Sequence, residues 1–448
     1  MSQSRRFPGL VVVLCAAAGL AMASAGGADD TTAGASGPSS DVYDNFGFPL
    51  TFDVSKMDLG ADPRQDFRRY AAGKWLDKAT LPADLGNLDA VNLVIRQVDR
   101  QVASLLVDAA AASPKARPGT ALQQVGDLYA AGMDVARLTA LGATPLQPTW
   151  DRIAGIDGRR ALAEALAQLY LLTGHPVFVD LSVTTDIRNP TRYVVAANDP
   201  ALMLPAREDY LAADLAAVRV AYLETIAASL ALAGVPAAQA QARAAKVLAI
   251  ETRIARKKLT AEQALDFNAA YSTRPYAEIR SALANLDLDA YFSALGLPTG
   301  VDLLVTEIEA LKERNAVLGD YPLADIKDYL QWEALRLMSP YLSPAFLDAR
   351  APLTRALTGT SGAPKRETLV ADAVARGVGH SLGHLYVERY FSAQSRAAAE
   401  AVVSNVRAEF PQRLEQNTRP AARTPGDPPP KVGRSRVGGG APEEWSAY

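Results

Sequence analysis

Thiol chemistry is almost absent from this chain, whose 448 residues include one cysteine, Cys15. Cys15 lies in a segment that reads as removable, which excludes disulfides, thiolate nucleophiles and thiolate metal ligands from the mature chain. Aromatics make up only 7% while helix-favouring Ala, Leu, Arg and Glu abound, so the balance tilts towards helices over sheets. The net charge of −3 leaves no electrostatic footprint for nucleic acid or an anionic membrane surface. Hydrophobic residues at 49% and charged residues at 21% give a globular profile rather than a disordered one. At roughly 150 residues per domain, the length predicts two or three units or one elongated helical body.

The first residues read as a targeting segment. Arg5 and Arg6 form a positive start, Leu10 to Ala23 is apolar, and Ala21-Met22-Ala23 and Ala23-Ser24-Ala25 are cleavage-like. The apolar run is shorter than the roughly 20 residues that span a bilayer, so a cleaved signal over 1–25 is expected rather than a stable transmembrane anchor. Leu14 before Cys15 argues against lipidation, which needs a small residue there. Residues 26–45, rich in Gly, Ala, Ser and Thr, read as a flexible linker.

Helical periodicity dominates the chain from Asp62 onwards. Asp62-Pro63 has the form of a cap and first helical residue, and Phe67, Tyr70, Ala71 and Trp75 then share one face that reads as core. Val91, Val94, Ile95, Val98, Val102 and Leu105 form a second stripe, and Leu122, Val125, Leu128, Tyr129, Gly132 and Met133 a third. Ala-rich stretches at 210–233 and 237–258 predict a helical pair broken at Gly234-Val235-Pro236. Thr260 with Gln263 has capping-box spacing, Ser343-Pro344 opens another helix, and 366–391 and 395–416 are strongly periodic. One region alternates instead: Val177, Val179, Leu181 and Val183, then 193–197, with Asn189-Pro190 as the turn of a small antiparallel hairpin. From Arg419 to Gly440, Pro, Gly and Arg replace the apolar pattern, a composition that fits disorder on its own.

Catalytic motifs are scarce. His380 and His384 form an i,i+4 pair, the spacing of a zinc-binding H-E-x-x-H helix, but Ser381 stands where the glutamate belongs. A serine hydroxyl cannot take the proton from metal-bound water at neutral pH. Glu388 lies eight residues beyond His380, roughly 12 Å along a helix axis, too far for one ion to engage all three. The pair therefore reads as two polar residues on a packed helix, with a weak adventitious metal site as the alternative. No G-x-S-x-G elbow, P-loop or G-x-G-x-x-G after a strand occurs.

Ordered blocks of sequence carry more. Asp62-Pro63-Arg64-Gln65-Asp66-Phe67 with Tyr70-Ala71-Ala72-Gly73-Lys74-Trp75 opens the series, succeeded by Leu81-Pro82-Ala83-Asp84 and Gly86-Asn87-Leu88-Asp89. Tyr129 to Asp134, Leu204-Pro205, Asp209-Tyr210-Leu211, Glu251 to Ala255, Lys327 to Trp332 and Gly383 to Phe391 continue it. In this order the blocks resemble the neprilysin and endothelin-converting-enzyme family of zinc metallopeptidases, which includes bacterial oligopeptidases, across roughly residues 46–417. Arg64 and Ala72 stand where animal members carry cysteines, as in a bacterial, disulfide-free version.

The resemblance implies a mainly α fold: the multi-helix N-terminal lobe of a neprilysin-like peptidase, over 46–417, with a small hairpin. Its H-E-x-x-H motif, downstream glutamate ligand and N-A-x-Y segment belong beyond the last matched block, and none occurs in this sequence. No catalytic, cofactor-binding or metal residue is therefore assigned here, although zinc is expected in the full-length family protein. Asn87, Leu88 and Asp89 become possible substrate-lining residues by resemblance, with Asp84-Leu85 replacing the arginine and aromatic that often precede them.

Pro442-Glu443-Glu444-Trp445 resembles a further family stretch, while the run before it does not. The expectation is an aberrant tail over 418–448, read out of frame until just before Pro442 and then ended, which separates this lobe from its catalytic partner lobe. The implied protein is the substrate-access lobe of an exported peptidase acting on peptides, periplasmic or secreted, and inactive alone. The alternatives are a non-catalytic exported peptide-binding module, and an enzyme that uses His380 and His384 with an unrecognised acid.

Overall fold

The computed structural model describes residues 54–80, 89–186, 188–266, 272–359, 365–415, 441–442 and 445. The expected signal segment, the linker, Asn87, Leu88 and the 418–440 run lie outside the described residues. In chain order the helices begin with α1 (Phe67–Leu76), α2 (Ala90–Ala112), α3 (Ala121–Met133), α4 (Val135–Leu141), α5 (Gln147–Ala154) and α6 (Arg159–Thr173). After strands β1 (Asp180–Asp186) and β2 (Asn189–Asn198) come α7 (Arg207–Leu211), α8 (Ala216–Leu232) and α9 (Ala237–Ala255). Strand β3 (Ser272–Arg274), α10 (Tyr276–Ala282), α11 (Leu288–Ala294) and β4 (Leu303–Val305) come next. The series closes with α12 (Ile308–Asp320), α13 (Leu323–Met338), α14 (Pro344–Asp348), α15 (Ala351–Thr358), α16 (Arg366–Tyr390) and α17 (Ala393–Glu415). The fold is mainly α, as the composition and the family resemblance both imply. The chain divides into two compact units, Met1–Met133 with Lys365–Tyr448, and Asp134–Pro364.

In the first unit, α1 starts later than Asp62-Pro63 suggests. Asp62 instead closes a turn, its Oδ1 accepting from the Arg64 backbone N–H at 2.9 Å, and Asp66 caps the helix by accepting from Arg69 N–H at 2.7 Å. A short acidic side chain can satisfy either a turn or a helix start, and here the second aspartate takes the cap. The aromatic face read as core is not one: Phe67 is 68% exposed, and Gly73 is the sole buried residue of α1. The α2 stripe is likewise buried only towards its end, with Val91 and Ile95 exposed and Leu105, Leu106 and Ala109 enclosed. These pack with Val125 and Tyr129 of α3 and Val370, Val374 and Leu382 of α16 to form the unit's core.

Close helix approach at that core depends on glycine. A Cβ at Gly126 would collide with the Ala109 carbonyl oxygen, and one at Gly132 would meet Val370 at 2.5 Å. Helix α16 is bent at Val378, whose φ of −134° and ψ of 43° are not helical.

The second unit has the larger core. Helices α8 and α9 form the expected helical pair, broken where Gly234 adopts a φ of +91° that favours glycine, although residues 210–215 belong to α7 and a short turn before α8. The span Ala213–Leu232 is apolar and long enough by composition to cross a membrane, yet Tyr222, Ile226 and Leu230 are fully enclosed by this unit. Each Leu or Ile so buried contributes about 1.5–3 kcal/mol relative to exposure.

Strands β1 and β2 make the expected hairpin, from Asp180 opposite Asn198 to Thr185 opposite Tyr193. Asn189-Pro190 opens β2 rather than forming the turn, which is held by Asp186 Oδ1 accepting from the Arg188 and Asn189 N–H groups. The sheet gains two strands that the alternation did not predict, in the order β1-β2-β4-β3, with β4 parallel to β2 and antiparallel to β3. Each added strand is three residues long, too short for a period to show, and Leu303-Leu304-Val305 is buried throughout.

Candidate functional site

Several of the family-like sequence blocks meet at one buried polar node in the second unit. Glu251 of α9 is fully buried and accepts from the Tyr210 hydroxyl at 2.7 Å and the Tyr222 hydroxyl at 2.9 Å. The Tyr210 oxygen in turn accepts from the Leu204 N–H at 2.8 Å, and the Tyr222 oxygen from Trp332 Nε1 at 3.3 Å. The blocks at 204–205, 209–211, 251–255 and 327–332 are thus joined by hydrogen bonds around a single carboxyl. Burial, and then the neighbouring Glu333, push the Glu251 carboxyl up to about 7. Burial also holds the Tyr210 and Tyr222 hydroxyls well above the ordinary phenol range. Arg336 lies beside Glu333 and donates to both its carboxylate oxygens from one guanidinium edge, Nε and Nη2, at 2.7 and 2.5 Å. The node was legible in part: Ala240, Ala244, Val247 and Ile254 define a buried face of α9, and Glu251 falls on that face at i,i+4 from Val247. At 0% exposure and with its oxygens bonded to two tyrosines, Glu251 is placed to organise helices rather than to meet a substrate.

A second polar junction secures the end of β2. Arg314 of α12 pairs with Asp199 Oδ1 at 2.5 Å and donates to the Val177 and Pro200 carbonyls at 2.6 and 2.5 Å. Lys258 also engages Asp199.

The histidine pair of α16 belongs to a different environment. His384 faces the Trp445 indole edge-on, with centroids 5.3 Å apart and planes at 84°, and His380 does the same at 6.1 Å and 88°. Ser381 faces elsewhere, donating to Gln124 Oε1 of α3 at 2.7 Å. His384 Nδ1 is buried without a hydrogen-bond partner among the described residues, and Glu388 Oε1 stands 3.7 Å away. Metal chemistry needs three or four convergent donors, and no group of three His, Cys, Asp or Glu residues among those described could hold an ion. The donor set among the described residues, two histidines and Glu388, does not fit a catalytic zinc.

A concavity of about 1060 Å³ lies along α6 and α11 and is lined by residues that include Arg152, Arg160, Glu164, Arg280, Asp287 and Asp289. Its charges answer one another: Arg160 pairs with Glu164 at 3.0 Å and Arg280 with Asp289 at 2.9 Å. Ser293 is the one hydroxyl side chain among the described residues on its lining. Of the three residues expected to line substrate, Asp89 is described, and it caps α2 by accepting from Asn92 N–H at 2.8 Å.

Against known proteins, the model for peptidase family M13, N-terminal part, matches residues 63–419. The chain belongs to peptidase family M13. Human endothelin-converting enzyme-like 1 is 27% identical over 403 residues, covering 83% of this chain and 50% of that protein. Neprilysin of Pongo abelii is 23% identical, covering 82% of this chain and 52% of its own length. Among solved structures, the zinc metalloprotease Zmp1 of Mycobacterium tuberculosis in complex with an inhibitor superposes with a TM-score of 0.72 at 26% identity, over 82% of this chain and 56% of that one. This M13 chain therefore spans about half the length of the curated relatives it matches. The resemblance to the neprilysin group is upheld, as is the helical lobe with its small sheet.

Proposed function

We propose that this chain is the substrate-access lobe of an exported zinc metalloendopeptidase acting on peptides, and that alone it hydrolyses nothing. One observation carries the reading: an M13 match over 63–419 coexists with a donor set that does not fit zinc and a sequence without H-E-x-x-H. The catalytic zinc and its general base would then come from residues outside this sequence. In that arrangement the lobe limits access, and what it contributes is shape and rigidity rather than chemistry. The internally paired charges of the α6–α11 groove and the enclosed Glu251 node support a structural role.

The proposed organisation assigns 1–25 to a signal peptide, 26–45 to a linker, 46–417 to the lobe and 418–448 to a tail, with export to the periplasm or beyond. Asn87, Leu88 and Asp89 remain the proposed substrate-side residues, with Asp89 also capping α2. The test is peptide binding measured by fluorescence anisotropy with chelator present, alongside turnover of a quenched-fluorescent peptide with added zinc. No turnover and no saturable binding fit an access lobe. Saturable, metal-independent binding would favour a peptide-binding module instead, and zinc-dependent turnover would refute the reading.

A further inference from the structure

The face of α16 that carries His380, Gly383 and His384 has a feature that neither zinc chemistry nor core packing explains. Gly383 lies between the two histidines, and a Cβ built there would meet Trp445 carbons at 3.0 and 3.4 Å. Among the described residues it would meet nothing else within 4 Å beyond its own stretch of helix. The missing side chain is thus filled by one indole, and the flanking imidazoles both stand nearly perpendicular to it, at 88° and 84°. Perpendicular rings with centroids about 4.5–7 Å apart are the favoured edge-to-face arrangement, because a positive ring edge meets a negative ring face. Steric fit and ring geometry both single out Trp445.

We propose that His380, Gly383 and His384 form an indole-docking notch on α16 that anchors Trp445 of this same chain. The i,i+4 spacing that mimics a metal motif serves here to set two imidazoles one turn apart, on either side of the gap left by the glycine. Ser381, one residue on, stays free of the notch by bonding to Gln124 on α3. That bond fixes which face of α16 is turned towards the tail. The ligand class is an indole side chain on a short segment containing proline, as in Pro442-Glu443-Glu444-Trp445. The segment would otherwise be the end of a Pro/Gly/Arg-rich run with no periodicity of its own. The inference does not rest on the proposed peptidase role.

The test uses the full chain and isolates Trp445 from Trp75, Trp150 and Trp332 by subtracting the emission of Trp445→Phe. The expected result is a Trp445 signal shielded from acrylamide in the unaltered protein. Gly383→Ala, which adds one methyl facing only the indole, should raise the quenching constant several-fold with the helical circular dichroism unchanged. The double variant His380→Ala with His384→Ala should raise it similarly. Equal quenching in the unaltered protein and Gly383→Ala would overturn the proposal. Shielding that grows with protein concentration would place the indole of one copy on another and overturn docking within the chain.

Discussion

Arg314 and Asp199, 115 residues apart in sequence, form an ion pair whose side chains are 2% and 0% exposed. Their junction ties α12 to the end of β2 and to the chain entering β1 through the Val177 carbonyl. Long-range pairs of this kind decide how the second unit closes around its small sheet. A buried pair is worth little beyond an apolar replacement, but removing one partner strands the other.

Arg314→Ala is accordingly expected to destabilise the chain by about 3–5 kcal/mol. Lys258, which also reaches Asp199, should hold the loss towards the lower end. Arg314→Met, of similar length, should likewise leave Asp199 with Lys258 as its remaining cation and lose nearly as much. Urea unfolding monitored by circular dichroism measures both, and a loss close to zero for either variant would show the pair to be incidental.

The Glu251 node makes stability depend on pH. The carboxyl has an ordinary value of 4.5 and is raised to about 7 in the fold. Between these values the folded chain holds a proton that the unfolded chain has released, so stability falls as pH rises. The contribution is fully present below pH 4.5 and lost above about 7. Glu251→Gln, which cannot ionise, should flatten this slope, worth as much as ~3 kcal/mol across the window. Unfolding free energies of both proteins across that range provide the check, and parallel curves would contradict the assignment.

Two glycines of the first unit should behave oppositely. Gly126→Ala forces a methyl against the Ala109 carbonyl oxygen, backbone that cannot rotate away, and should cost about 1–3 kcal/mol. Gly379→Ala on α16 meets nothing within 4 Å among the described residues and should stabilise by about 0.5–1 kcal/mol through helix propensity. Melting temperatures that move in the same direction for both would remove the packing argument.

Period and punctuation made part of the fold legible in the sequence. The α8–α9 pair could be read because each helix spans several turns and Gly234 marks the break. The Thr260–Gln263 capping box is present with both bonds, at 3.0 and 3.2 Å, yet it opens only a three-residue turn over Gln263–Leu265. A cap satisfies the first N–H groups but does not supply the apolar face that extends a helix. Strands β3 and β4 were hidden by their length, and the exposure of Phe67 by the limits of periodicity. A 3.6-residue pattern states which residues share a face, not whether anything covers it.

The sequence named few site residues, and of the three expected on the substrate side Asp89 is described as the cap of α2. Ser381 in place of glutamate was enough to set aside zinc hydrolysis at the histidine pair, and the structure adds what the pair contacts instead. Trp445 could not be connected to His384 from sequence, because 61 residues separate them and no pattern crosses the Pro/Gly/Arg-rich run. Glu251 was visible as part of a family block, but its role depends on Tyr210 and Tyr222 reaching it from two other helices.

The most direct test of the central claim is zinc content together with turnover: dialyse the chain against zinc, remove free metal, and measure bound zinc alongside hydrolysis of a quenched peptide library. An access lobe predicts substoichiometric zinc and no hydrolysis. One zinc retained per chain, with cleavage that a chelator abolishes, would contradict the account and restore this chain as a peptidase in its own right.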